Sequence, residues 1–203
     1  MSELETSQIN PIKEAEKFAC RFLNEGRMDW DKPHSEATAY YTNLLGKAAN
    51  QDIVVLNIAA WLHDTGYARL FNEGDSKKYD EVLNKKVRHL NRSAGLARIF
   101  VNQKDVASCL NGEQKKRIVH LVKTHDKIED LKDLDEFILM EADTLAQIDL
   151  NRVKPSFDYE GGINYIKNLK KYRAPYFQTE LGKEILSQLL PPFEEHFQKM
   201  ASS

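Results

Sequence analysis

Apolar residues recur at spacings of three and four along most of this 203-residue chain, and strict alternation over several residues is hard to find. That period gathers apolar side chains on one face of a 3.6-residue turn, so the pattern predicts an all-α fold, a helical bundle. A first helix is expected from Pro11, where a missing N–H is harmless, to about Asn24, with Ile12, Ala15, Phe18, Ala19 and Phe22 inward and Gly26 ending it. A second should run from Pro33 to about Ala49. A third, from Asp52 to Asp64, has the apolar density of the most buried element. Thr65 and Gly66 break that run, and Ala68 to Lys78 reads as a loop at the mouth of whatever site the third helix carries.

A long helix is predicted from Tyr79 to Val101, with Leu83, Val87, Leu90, Ala94, Ala97 and Val101 as its stripe. A short one, Asp105 to Leu110, is stopped by Asn111 and Gly112, and Glu113 to His125 and Leu134 to Leu150 follow. Gly161 and Gly162 predict a turn between that last helix and two more, at about Ile163 to Lys171 and Thr179 to Leu190. Pro191 and Pro192 should then force a break before a final charged turn or two. No repeat, low-complexity tract or interdomain linker interrupts the pattern, so residues 1–203 are expected to form one domain.

Composition narrows the function. Apolar residues make up 41% and charged residues 30% of the chain, a mixture that supports a packed globule. Lysine plus arginine (29) nearly cancels aspartate plus glutamate (31), so no strong overall field recruits nucleic acid or an anionic membrane, and contact with phosphate must be local. Cys20 and Cys109 allow at most one disulfide and no Cys-x-x-Cys site, which points to a reducing cytoplasm. Met1 to Asn10 lacks the apolar core of a signal peptide, and the longest apolar stretch, Ile53 to Leu62, is too short to span a bilayer.

The chemistry-bearing pattern is His34, the pair His63 and Asp64, then His89, His125 and Asp143. On the third helix, Leu56, Ala59, Ala60 and His63 share a face, so an imidazole points where the core should be. His120 and His125 are about 140° apart on their helix. His125 aligns with Ile118, Leu121 and Val122, whereas His120 lies among Lys116, Arg117, Lys123 and Thr124. Asp143 falls on the stripe of Leu139, Ala142, Ala146 and Leu150, where an unpaired carboxylate would cost several kcal/mol or be forced to protonate. His34 opens a helix whose inward face continues through Ala37, Tyr41 and Leu45. One inward histidine is ordinarily a satisfied core residue. Several on separate helices together with inward carboxylates each need a buried partner, and a divalent metal supplies it. Imidazole and carboxylate donors suit zinc, manganese, iron, cobalt or nickel, and the lack of thiolates argues against a finger-type zinc site.

In order and spacing these residues resemble the HD superfamily of metal-dependent phosphohydrolases, whose signature is a histidine, a later His-Asp pair and a distant aspartate on successive helices. The matching positions are His34, His63 with Asp64 in Ala-Ala-Trp-Leu-His-Asp-Thr-Gly-Tyr, and Asp143 in Glu-Ala-Asp-Thr-Leu, covering about residues 30–150 and leaving 151–203 as a helical extension. The resemblance implies that His34, His63, Asp64 and Asp143 bind one metal and that Asp64 bridges to a second held by His89 and His125. It also implies hydrolysis of a small phosphorylated substrate, a nucleotide or metabolite, by metal-activated water. Tyr67 stands where many relatives carry lysine. Lys85, His89 and Arg92 share one side of the long helix, and Arg92 is a candidate for a bidentate phosphate contact.

Two other functions fit the same residues. Some relatives with a complete two-metal ligand set hold two irons and oxidise small molecules, and a binding protein could keep the metal without turnover. The helical faces themselves generate a test. His125→Ala should lower turnover at least about tenfold, as loss of a ligand or its support often does, whereas His120→Ala should leave it within about a few-fold of the parent. Equal effects in steady-state assays would refute the facial assignment.

Overall fold

The computed structural model describes residues 10–27, 29–71 and 78–201. Its helices are α1 (Pro11–Leu23), α2 (Asp31–Ala48), α3 (Ile53–Leu62), α4 (Tyr79–Val101), α5 (Lys104–Ala107), α6 (Gly112–Thr124), α7 (Leu134–Ile148), α8 (Tyr159–Asn168) and α9 (Glu180–Met200). No strand occurs among the described residues, so the fold is all-α. The expected loop from Ala68 to Lys78 lies outside the described residues over 72–77, as does the N-terminal stretch 1–9. No described helix is long and apolar enough to cross a membrane.

Local chemistry starts the helices where the apolar pattern begins. The Asn10 side chain accepts from the N–H groups of Ile12 and Lys13, and Asp52 accepts from those of Val54 and Val55, each satisfying donors that the first turn leaves over. Capping boxes at Asn111 with Gln114 and at Asp133 with Glu136 do the same for α6 and α7. Pro33 sits in the first turn of α2, which begins two residues earlier than expected, because no N–H is needed there. Helix α3 is enclosed by α1, α2 and α6, while α2 also packs on α7 and α4 on α6. Leu56, Ile58 and Leu62 of α3 meet Ile118, Leu121, Ile138 and Leu139 in one core, and burying each contributes about 1.5–3 kcal/mol.

Three local expectations are corrected. Gly161 and Gly162 lie in the first turns of α8, and Pro191 and Pro192 lie inside α9. One contact accounts for both. Phe193 and Phe197 are fully buried, and a Cβ on Gly162 would sit 2.1 Å from the Phe197 ring, so ring burial holds the helix through the prolines and demands glycine opposite. In α4 the buried stripe begins only at His89 and Leu90, because Leu83 is 40% and Val87 71% exposed. The first turns of α4 border a cavity, to which Tyr79, Val82, Leu83 and Lys86 contribute, and only Tyr79 and Val82 of these also pack against the core.

A short 3-10 turn, Thr65–Tyr67, follows α3 and presses onto α4. Gly66 makes this approach possible: its N–H donates to Ser93 Oγ at 2.8 Å, and a Cβ there would lie 2.1 Å from the His89 carbonyl oxygen. Backbone cannot yield as a side-chain tip can. Gly66→Ala should therefore lower stability in urea unfolding by about 1–3 kcal/mol, as overpacking does. Gly95→Ala on the same helix, where a Cβ meets nothing within 4 Å, should raise it by up to about 1 kcal/mol through helix propensity. Similar values for the two would show that the contact between turn and helix does not constrain position 66.

Candidate metal centre

Six expected residues converge from five directions. His34 projects from the first turn of α2, His63 and Asp64 from the end of α3, His89 from mid-α4, His125 from the end of α6 and Asp143 from mid-α7. Two overlapping triads, His34, His63, Asp64 and Asp64, His89, His125, bring their donor atoms within 4.8 Å of one another. Asp64 belongs to both. Its Oδ2 lies 3.5 Å from His63 Nε2 and 3.8 Å from His34 Nε2, and its Oδ1 lies 3.5 Å from His89 Nε2 and 3.8 Å from His125 Nε2. Asp143 Oδ1 is 2.9 Å from His34 Nε2 and 3.6 Å from His63 Nε2.

The ring nitrogens indicate what is missing from a purely protein environment. His63 Nδ1–H donates to the Ala60 carbonyl at 2.6 Å and His125 Nδ1–H to that of Val122 at 2.9 Å, which leaves each Nε2 turned into the centre. A backbone acceptor on the far nitrogen is the usual support of a ligating imidazole. His89 has no hydrogen-bond partner at either nitrogen, and His34 Nδ1 has none, although all are buried. An orphaned buried polar atom costs about 1–3 kcal/mol, so the donor set fits a cation and is poorly explained as core packing. His120, by contrast, is 47% exposed and bonds to Glu136, while His125 is 2% exposed.

Residues that sequence reasoning did not single out frame this set. The Arg27 guanidinium donates to Asp31 and, at 2.9 Å, to Asp64 Oδ2, and lies between the rings of Trp30 and Tyr67, with Cζ 3.9 and 4.4 Å from their centroids. Trp30 stacks on His34 at 4.3 Å and Tyr67 on His89 at 4.0 Å. On the other side Arg173 donates to Asp143 Oδ2 at 2.5 Å and to Asp126 Oδ1 at 2.8 Å. Arg27 and Asp31 stand four residues apart with Trp30 beside the site histidine, a legible signal; Arg173 sits in a basic run that resembles a solvated surface. Arg92 is half-buried and lines no part of the cavity. Lys85 pairs with Glu81 at 3.0 Å. The cation that α4 does turn to the cavity is Lys86, whose Nζ is 3.5 Å from Asp126 Oδ2.

The cavity over these groups has a volume of about 480 Å³, and Phe157, Tyr165, Tyr172 and Tyr176 are among its lining residues. A model of the HD domain matches residues 33–148, more than half of the chain. The chain belongs to the HD domain family. Members of this family are generally metal-dependent phosphohydrolases, and the buried histidine and aspartate groups are able to hold divalent metal. Comparison with curated proteins and with solved structures gives no match. The match leaves Arg27 and Arg173, which grip the carboxylates Asp64 and Asp143, outside its limits.

Electrostatics set the protonation of this HD centre. Burial pushes His34 down to about 4, outweighing Asp143, and pushes His125 down to about 4 with help from His63; His89 is driven well below the ordinary imidazole value. These three are neutral donors at pH 7. Burial also raises Asp64, while Arg173 and His34 overcome burial to hold Asp143 well below the usual carboxylate range. Against burial, Asp64 and Asp143 lift His63 to about 9. A metal that takes His63 Nε2 must therefore displace a proton. Apparent affinity for Mn²⁺ or Zn²⁺ should rise about tenfold per pH unit from neutrality toward pH 9 and flatten above it, with about one proton released per ion bound. Calorimetric titrations in buffers of different ionisation enthalpy measure both, and an affinity independent of pH over that window would exclude the protonated His63.

Proposed function

We propose that the protein is a metal-dependent phosphohydrolase that acts on a small phosphorylated substrate, a nucleotide or metabolite. In this reading His34, His63, Asp64 and Asp143 would hold one divalent ion, and Asp64, His89 and His125 would hold a second. The observation that carries it is Asp64, whose two oxygens each face a different histidine pair at 3.5 and 3.8 Å. When bound, the metal supplies Lewis acidity that activates water and draws charge from the phosphoryl oxygens.

The remaining work falls to the chain's own groups. Arg27 and Arg173 are occupied by carboxylates, so they orient ligands rather than grip a substrate. Lys86 has one long ionic contact and an open side toward the cavity, which supports it as the cation that meets a phosphoryl oxygen. It lies one turn before His89 on α4, so a phosphate touching it reaches toward the histidine and aspartate cluster. A volume of about 480 Å³ suits a metabolite-sized molecule. The aromatic residues of the lining offer flat apolar surfaces to the organic part of such a molecule.

The test is a screen of metal-reconstituted protein against phosphomonoesters, phosphodiesters and nucleotides. Phosphate ester hydrolysis restored by manganese, cobalt or nickel supports the reading. Two tightly held irons after anaerobic purification, with oxygen uptake and no hydrolysis, would replace it with an oxygenase. On the best substrate, Lys86→Gln should lower kcat/KM about ten- to hundredfold with metal content unchanged, the loss of a charge-assisted contact of about 1.5–3 kcal/mol. Arg92→Ala should behave as the parent. The reverse order of effects would move phosphate recognition to Arg92.

A further inference from the structure

We infer that Arg173 is the positioning residue for Asp143, a role that couples docking of the segment after residue 148 to the metal centre; it rests on the metal-centre reading above. The two oxygens of Asp143 are already divided. Oδ1 faces His34 and His63, and Oδ2 is held by Arg173 Nη2 at 2.5 Å. A carboxylate rotates easily about its last bond, and fixing one oxygen fixes where the other points.

The guanidinium is itself locked. Its Nε donates to Thr144 Oγ1 at 2.7 Å, Nη1 to Asp126 at 2.8 Å, and Nη2 also reaches the Met140 carbonyl at 3.3 Å. Thr144 in turn donates to Met140 O at 2.7 Å, which holds the Nε acceptor in place. Arg173 thus spans the helix that carries Asp143 and the residue that follows His125. Only a planar fork with donors along three edges does this, so lysine is not equivalent. The backbone presenting it is unusual as well. Residues Leu169–Arg173 form a π-turn closed by the Ala174 N–H on the Leu169 carbonyl, while Leu169 is fully buried. Such widened turns recur where a side chain must be aimed at a site.

The test uses the full chain, with Arg173→Gln and Arg173→Lys compared to the parent by competition titration of Mn²⁺ and Co²⁺ against a chromophoric chelator. Arg173→Gln should weaken binding about ten- to hundredfold, the usual effect of removing a group that supports a ligand, and Arg173→Lys should recover part of the loss. At saturating Co²⁺ the visible absorption of Arg173→Gln should differ in intensity from that of the parent, and the metal-induced rise in Tm should shrink. A merely structural arginine would lower the Tm of metal-free and loaded protein alike and leave the affinity and spectrum unchanged, which overturns the inference. Should Arg173→Gln fail to fold, Arg173→Lys decides alone, and parent-like affinity and spectrum there overturn it too. A parent that binds neither ion would overturn the metal-centre reading and this role together, whereas a parent that binds with an indifferent variant overturns only the role.

Discussion

The balance of buried charge around Asp64 is the constraint on which the rest of the molecule depends. Asp64 and Asp31 are taken almost wholly out of water, and Asp126 and Asp143 nearly so. Burying a carboxylate without a partner would force it to protonate, so each is met by a cation: Arg27 for the first two, Arg173 for the last two, with Lys86 near Asp126. Four carboxylates then face three permanent cations. His63, lifted to about 9, supplies the fourth charge when no metal is bound. A divalent ion that takes His63 Nε2 displaces that proton and leaves this group of charges one positive charge in excess. The demand on metal binding is competition with that proton.

The same residues determine how the imidazoles are oriented. His34 and His89 are not held by hydrogen bonds at every nitrogen; flat rings hold them, Trp30 against one and Tyr67 against the other, with Arg27 between those two rings. This explains why tyrosine rather than lysine follows the His-Asp-Thr-Gly run. Position 67 is buried against a guanidinium, so an ammonium there would meet like charge at close range, whereas the tyrosine ring accepts Arg27 on one side and the His89 ring on another. Gly66 belongs to the same device, because only without a Cβ does the turn come close enough to α4 for that stacking.

What the sequence made legible follows from the range of the forces involved. Helix starts governed by a cap a few residues away, such as Asn10, Asp52 and Asn111, are local facts, and so is the face that carries His125 away from His120. The continuous α9 and the glycines within α8 were not legible, because Phe197 against Gly162 is a contact between distant segments that overrides local propensity. For α4 the helical period is a local fact but its environment is not: a stripe through Leu83 and Val87 presumes a core on that side, where the molecule has a cavity and solvent. His34, His63, Asp64, His125 and Asp143 stood out because polar groups on apolar faces need partners, and His89 because its place in the chain fits the resemblance. Arg173, which partners Asp143, did not, since a residue in a basic run looks alike whether it meets water or a buried carboxylate, and Arg27, which partners Asp64, carried a signal only in its four-residue spacing to Asp31.

That difference bears on how the centre and the fold depend on each other. The candidate ligands come from α2, α4 and α7 and from the ends of α3 and α6, and their carboxylates are anchored by residues before and after the region the family shares. An ion that engages only this assembled set binds the folded chain and not the unfolded one, so its free energy of binding adds to the stability of all the contributing segments at once. The reverse also holds. Any change that loosens the turn bearing Arg173 should weaken the proposed metal site, because the oxygen of Asp143 that faces the histidines is fixed through the oxygen that does not. The segment after residue 148 is in this sense continuous with the candidate centre: it borders the cavity with aromatic rings and holds one oxygen of Asp143 through Arg173.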